Sequence, residues 1–172
     1  MKEMAGMQGE ISGVVEETVV ETFNGMLGQK VVTAAVQRPA KPGPTHKVYA
    51  CLLLDQQKDI SANFCFTFDD QLLSMTASNF YPGDEAVKAS VREDIACAVA
   101  NIVGSKVKTY LNKQGYDFEM TIPFVAEPSA TPDLRRDGTI HVHFSYDDSQ
   151  GRSSDDGVVV NFMLEGHKAG NC

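Results

Sequence analysis

The spacing of apolar residues changes several times along this chain, and each change marks an element. From Ile11, apolar and small residues recur at helical spacing through Val14, Val15, Thr18, Val19, Thr22, Phe23, Met26 and Leu27. Ser12 is placed to cap this helix and Gly28 to end it. Three strand patterns follow, at Lys30–Arg38, Lys47–Asp55 and Ile60–Phe68. Pro39, Pro42, Gly43 and Pro44 separate the first two, and Gln56, Gln57 and Lys58 the second and third. Asp69 or Asp70 caps a short helix reaching about Phe80, which Tyr81-Pro82-Gly83-Asp84 breaks. A long helix is predicted from about Glu85 to Lys113, with Val91, Ile95, Val99, Ile102, Val103, Val107 and Leu111 on its apolar face. Strand patterns at Asp117–Ala126, Thr139–Tyr146 and Gly157–Leu164 close the chain, with polar, mobile loops expected at Pro128–Gly138 and Asp147–Asp156.

The order αβββααβββ predicts an α/β domain of the two-layer α+β kind, with helices packed on one face of a largely antiparallel sheet. A helix followed by three strands occurs twice without a residue-level repeat, so any duplication is one of topology. Residues 1–8 read as a flexible tail, 9–166 as a single domain, and 167–172 as a C-terminal tail.

Composition narrows the function more than the fold. A length of 172 residues favours one domain with a full core. No apolar run approaches the roughly 20 residues that span a bilayer. The first residues, Met1-Lys2-Glu3-Met4-Ala5-Gly6, lack an apolar signal core, so a cytoplasmic location is expected. A net charge of −8 argues against nucleic acid as a partner, because phosphate backbones reward clustered Lys and Arg. The four cysteines, Cys51, Cys65, Cys97 and Cys172, form no Cys-x-x-Cys motif and read as buried free thiols.

The segment Ala98-Val99-Ala100-Asn101-Ile102-Val103-Gly104-Ser105-Lys106-Val107-Lys108 places a carboxamide at the centre of the long helix. The small residues after it, Gly104 and Ser105, would let another surface approach. Taken alone, Asn101 is a mid-helix polar residue bonded to solvent or backbone. His141 and His143 alternate on one strand and point to one face, where they could begin a metal site or line an exposed face. No third ligand occurs at a recognisable spacing, so no metal site is expected. The acids Asp147, Asp148, Asp155 and Asp156 lack a calcium-loop pattern.

The long helix, its exit Tyr110-Leu111-Asn112-Lys113-Gln114-Gly115-Tyr116-Asp117-Phe118 and the strand Glu119-Met120-Thr121-Ile122-Pro123 resemble the CheX/CheC phosphatases of bacterial chemotaxis. The resemblance covers roughly Ile11–Leu164. It implies hydrolysis of the aspartyl phosphate on a response-regulator receiver domain, with Asn101 as the catalytic residue orienting water. A carboxamide suits that role, because its oxygen accepts from the water and it does not titrate. The resemblance also implies a homodimer built by pairing sheet edges. No cofactor is expected on this chain, because magnesium belongs to the phosphorylated receiver. The family's helix carries Glu-x-x-Asn, and this chain has Ala98 at the Glu position. Asp94, two turns before Asn101, and Ser105, one turn after, are the residues that could support or dock in its place; Glu93 adjoins Asp94. A second Glu-x-x-Asn at Glu21-Thr22-Phe23-Asn24 falls at a helix end rather than mid-helix. Three readings are therefore open: an active phosphatase, a catalytically degenerate adaptor that binds a receiver without hydrolysis, and an unrelated small-ligand or metal-binding domain.

Overall fold

The computed structural model describes residues 2–35, 47–56, 60–81, 83, 88–127 and 137–166. The expected Pro-rich turn, most of the Pro128–Gly138 loop and the C-terminal tail lie outside these residues.

The sheet takes its form from period-two sequences. In Ile60–Asp69 (β3) the phenylalanines 64, 66 and 68 alternate with Asn63, Cys65 and Thr67. Alternation turns every phenylalanine to one face, where Phe64 stacks on Phe66 at 6.3 Å and on Phe162 at 5.3 Å between ring centroids. Phe162 belongs to β7 (Ser153–Gly166), whose Val158, Val160 and Leu164 share that face. Flanking these two strands are β2 (Lys47–Gln56) and β6 (Ile140–Asp147). The remaining strands are short: β1 (Val32–Ala34), β4 (Glu119–Met120) and β5 (Phe124–Val125). The seven-stranded sheet runs β1-β6-β7-β3-β2-β4, with β5 also paired to β2, and every pairing is antiparallel. This is the predicted two-layer α+β arrangement. The order is symmetric about the β7–β3 junction, so each half of the chain lends its short edge strand to the other half's sheet. The duplication is topological, as the element order suggested.

Helix α1 (Lys2–Glu21) buries Met7, Ile11, Val15, Thr18 and Val19, one side of a 3.6-residue period. Residues 2–8, expected as a tail, are its opening turns, and Ser12 lies within the helix rather than at its cap. Gly6, Gly9 and Gly13 weaken helix propensity there, but burial of Met7 and Ile11 outweighs it. The helix ends in a π-helical turn, Thr22–Met26, and Gly28 follows with φ 65°, the left-handed conformation that glycine adopts without strain. Asp69 caps α2 (Asp70–Ser78) by accepting a hydrogen bond from the Gln71 amide. The long helix α3 (Ala89–Lys113) lies beside α1 and over β2.

Two further expectations change. The strand predicted at Asp117–Ala126 divides into β4 and β5, because Pro123 cannot donate to a ladder and the chain leaves the edge around it. The Asp147–Asp156 stretch, expected as a polar loop, is a tight hairpin whose flanks belong to β6 and β7. Asp148 accepts from the Gln150 and Arg152 amides and pairs with the Arg152 guanidinium at 3.1 Å. Those bonds, that of Arg152 first, hold its carboxyl below the usual range.

Candidate functional site

Helix α3 is fixed at three points. Its first turn is tied to α2 by Arg92 and Asp70, 2.6 Å apart. Its exit is clamped by Asn112, whose carboxamide accepts from the Phe118 amide at 2.7 Å and donates to the Phe118 carbonyl at 3.1 Å. Midway, Gly104 lies buried against the sheet, where a Cβ would sit 2.7 Å from Met120 Sδ and 2.8 Å from a Leu52 methyl. This small residue therefore brings the helix down onto the chain's own β2 and β4, not onto a visiting surface. Gly104→Val should destabilise the protein by about 1–3 kcal/mol through overpacking, read as a lower urea midpoint at an unchanged slope. A midpoint at or above that of the parent would show that the helix is not seated by this contact.

This seating sets what α3 presents outward. Val99 and Val103 are buried and Ile102 is half-buried, while Asp94, Ala98 and Asn101 are exposed and Ser105 is half-buried. The last four share one stripe, since spacings of four, three and four residues return to the same side of a helix. The Asn101 carboxamide makes no hydrogen bond among the described residues, so its oxygen and both amide protons are open to water or a partner. Asp94 stands about 10 Å from Asn101 along the axis at 1.5 Å per residue and is not beside the amide. Its charge acts instead on Cys97, whose thiol is pushed up by burial first and by Asp94 and Glu93 next. The structure thus brings Ala98, Asn101 and Ser105 together and leaves Asp94 at the margin.

The second Glu-x-x-Asn is built differently. Asn24 lies in the π-helical turn and donates to the carbonyls of Val20 at 2.8 Å and Val31 at 2.9 Å. Its amide fastens the helix end to the approach of β1.

His141 and His143 do not line an exposed face. His143 is fully buried, with Nδ1 2.9 Å from an Asp156 carboxylate oxygen, and half-buried His141 bonds Asn161 Oδ1 at 2.5 Å. Asn161 in turn donates to the Cys65 carbonyl at 3.3 Å. A polar row therefore crosses the sheet on the face away from the helices. Among the described residues no group of three or more His, Cys, Asp or Glu is arranged to hold a metal. Among the described residues, a hollow of about 80 Å³ beside Glu16 and His141 and one of about 210 Å³ beside Lys30 and Tyr146 fall short of the roughly 300–1,000 Å³ of ligand pockets.

No protein-family model matches the chain, and no curated protein matches it. Solved structures do. Chemotaxis protein CheX from Vibrio vulnificus superposes with a TM-score of 0.66 at 16% identity, over 91% of this chain and 99% of that one. A CheC-like superfamily protein from Shewanella sp. PV-4 gives 0.67 at 13% identity, over 91% and 97%. CheX from Borrelia burgdorferi, solved as a CheX–CheY–BeF3–Mg complex, gives 0.57 at 18% identity, over 91% and 96%. At these identities the likeness establishes architecture: this chain has the CheX/CheC-like fold. No described helix is long and apolar enough to cross a membrane.

Proposed function

We propose that this chain binds a phosphorylated chemotaxis receiver domain on the outer stripe of α3, and that Asn101 orients the water that hydrolyses the receiver's aspartyl phosphate. The observation that supports this most is an unpartnered, exposed carboxamide at the middle of the long helix of a CheX-like fold. An acyl phosphate already has a good leaving group, so positioning dominates its hydrolysis. The Asn101 oxygen accepts from the water and fixes its line of approach, and the gain is one of orientation. Magnesium stays with the receiver, and both proteins are cytoplasmic on this reading.

Ala98 favours a second reading, an adaptor that binds without hydrolysis. Its methyl group cannot engage a lysine of the receiver, and Asp94 is too far along the axis to replace the lost carboxylate. A homodimer is proposed with either reading. Ile122 and Phe124, on the β4–β5 edge, are 87% and 56% exposed, an apolar edge that a second copy would cover.

The test is to incubate the protein with a panel of phosphorylated receivers and follow both binding and loss of phosphate. Faster loss supports the phosphatase, binding without it supports the adaptor, and neither with any receiver removes both. Ala98→Glu should tighten binding to a responding receiver by about tenfold or more, because a charge-assisted contact contributes about 1.5–3 kcal/mol and 1.4 kcal/mol is one decade. Unchanged affinity would mean that this stripe is not the docking face.

A further inference from the structure

The sheet face away from the helices carries a pair of thiols that nothing in the receiver-binding reading uses. Cys51 of β2 and Cys65 of β3 are direct cross-strand partners. Their sulfurs share a hydrogen bond at 3.2 Å, and the residues are 5% and 1% exposed. Backbone direction fixes which kind of cross-strand pair this is. The Tyr49 carbonyl accepts from Ala126 and the Leu53 carbonyl from Thr121, so odd-numbered residues of β2 turn their backbone groups towards β4 and β5. Cys51 is therefore a non-hydrogen-bonded partner of Cys65, the type that brings Cα atoms to about 4.5 Å and side chains closest. That separation lies inside the roughly 4.4–6.8 Å window of disulfides, so closure requires movement of the sulfurs rather than of the strands.

We propose that Cys51 and Cys65 form a redox-active pair that closes to an intramolecular disulfide when the protein meets a hydroperoxide such as hydrogen peroxide. Cys51 is the attacking group. It is the less buried of the two, and its hydrogen bond with Cys65 favours its thiolate. The Cys51 thiolate attacks one peroxide oxygen, the O–O bond breaks, and the departing hydroxide takes up a proton as water. Cys51 is then a sulfenic acid. The Cys65 sulfur attacks the Cys51 sulfur, the S–O bond breaks, and the second hydroxide leaves as water with the Cys65 proton. Two thiols lose two electrons and two protons, and one peroxide becomes two waters. Cys97 is more exposed, but its thiol is pushed up by burial and by Asp94 and Glu93, which disfavours the thiolate. Exposure alone would pick Cys97; the paired geometry picks Cys51.

The test uses the full chain carrying Cys97→Ser and Cys172→Ser, which retains two of the four cysteines. Hydrogen peroxide should lower its intact mass by two hydrogens, dithiothreitol should restore it, and a proteolytic digest should yield one peptide pair joined through Cys51 and Cys65. If that variant does not fold, mapping of the oxidised wild-type chain gives the same readout. Added oxygen without loss of hydrogen, disulfide-linked dimers as the main product, or no change at a dose that oxidises the urea-unfolded chain would each overturn the proposal.

Discussion

Asn101→Ala is expected to slow dephosphorylation of a responding receiver by on the order of 10²-fold, the scale set by loss of one positioning contact. Stability should stay within about 0.5 kcal/mol of the parent, as for a surface residue without structural bonds. On the proposed mechanism the carboxamide holds only the water, so the deficit belongs in turnover and not in affinity. Single-turnover loss of phosphate from a pre-formed complex, beside a binding isotherm, separates the two. An active parent whose rate survives this substitution would acquit Asn101 and shift attention along the stripe to Ser105.

Phe64→Ala should destabilise the fold by about 3–5 kcal/mol, the usual cost of deleting a buried aromatic ring. Phe64 is 1% exposed, lies in one of the two central strands and stacks on rings from its own strand and from β7. The cavity has no route to collapse, because its walls are held by continuous ladders on both sides of β3. A melting temperature lower by about 6–20 °C is expected for a domain of this size. A shift of only a degree or two would mean that the helices settle into the void.

Most of this fold is legible in the sequence, and the departures have identifiable causes. Strong periods carry through to the structure: the phenylalanine alternation of β3, the aliphatic stripe of α3 and the capping Asp69. The start of α1 escapes the pattern because Gly6 and Gly9 argue locally against helix, whereas Met7 is recruited by a core assembled from distant strands. Pro123 falls inside what reads as one long strand, although its missing donor divides β4 from β5. The outward stripe holding Asn101 follows from helical spacing. The inward role of Gly104 does not, since its contacts are Leu52 and Met120, distant in sequence. The thiol pair and the His143–Asp156 pair are invisible in the sequence for a related reason. Alternation assigns each side chain a face, but only register says which residues meet across strands.

The exchange of edge strands between the halves governs how this protein must assemble. Val32 pairs with Ser145, and Ile60 with Gly166, so the sheet closes only after nearly the whole chain is available. Contacts this far apart in sequence carry the loop-closure cost before they return any stabilisation, which slows folding and leaves no early stopping place. Neither half holds a complete sheet, so neither is a free-standing folding unit. A chain emerging from the ribosome can pair β2 with β3, but the other edge of β3 stays open until β7 arrives, and in that interval the phenylalanine-rich strand is exposed to aggregation.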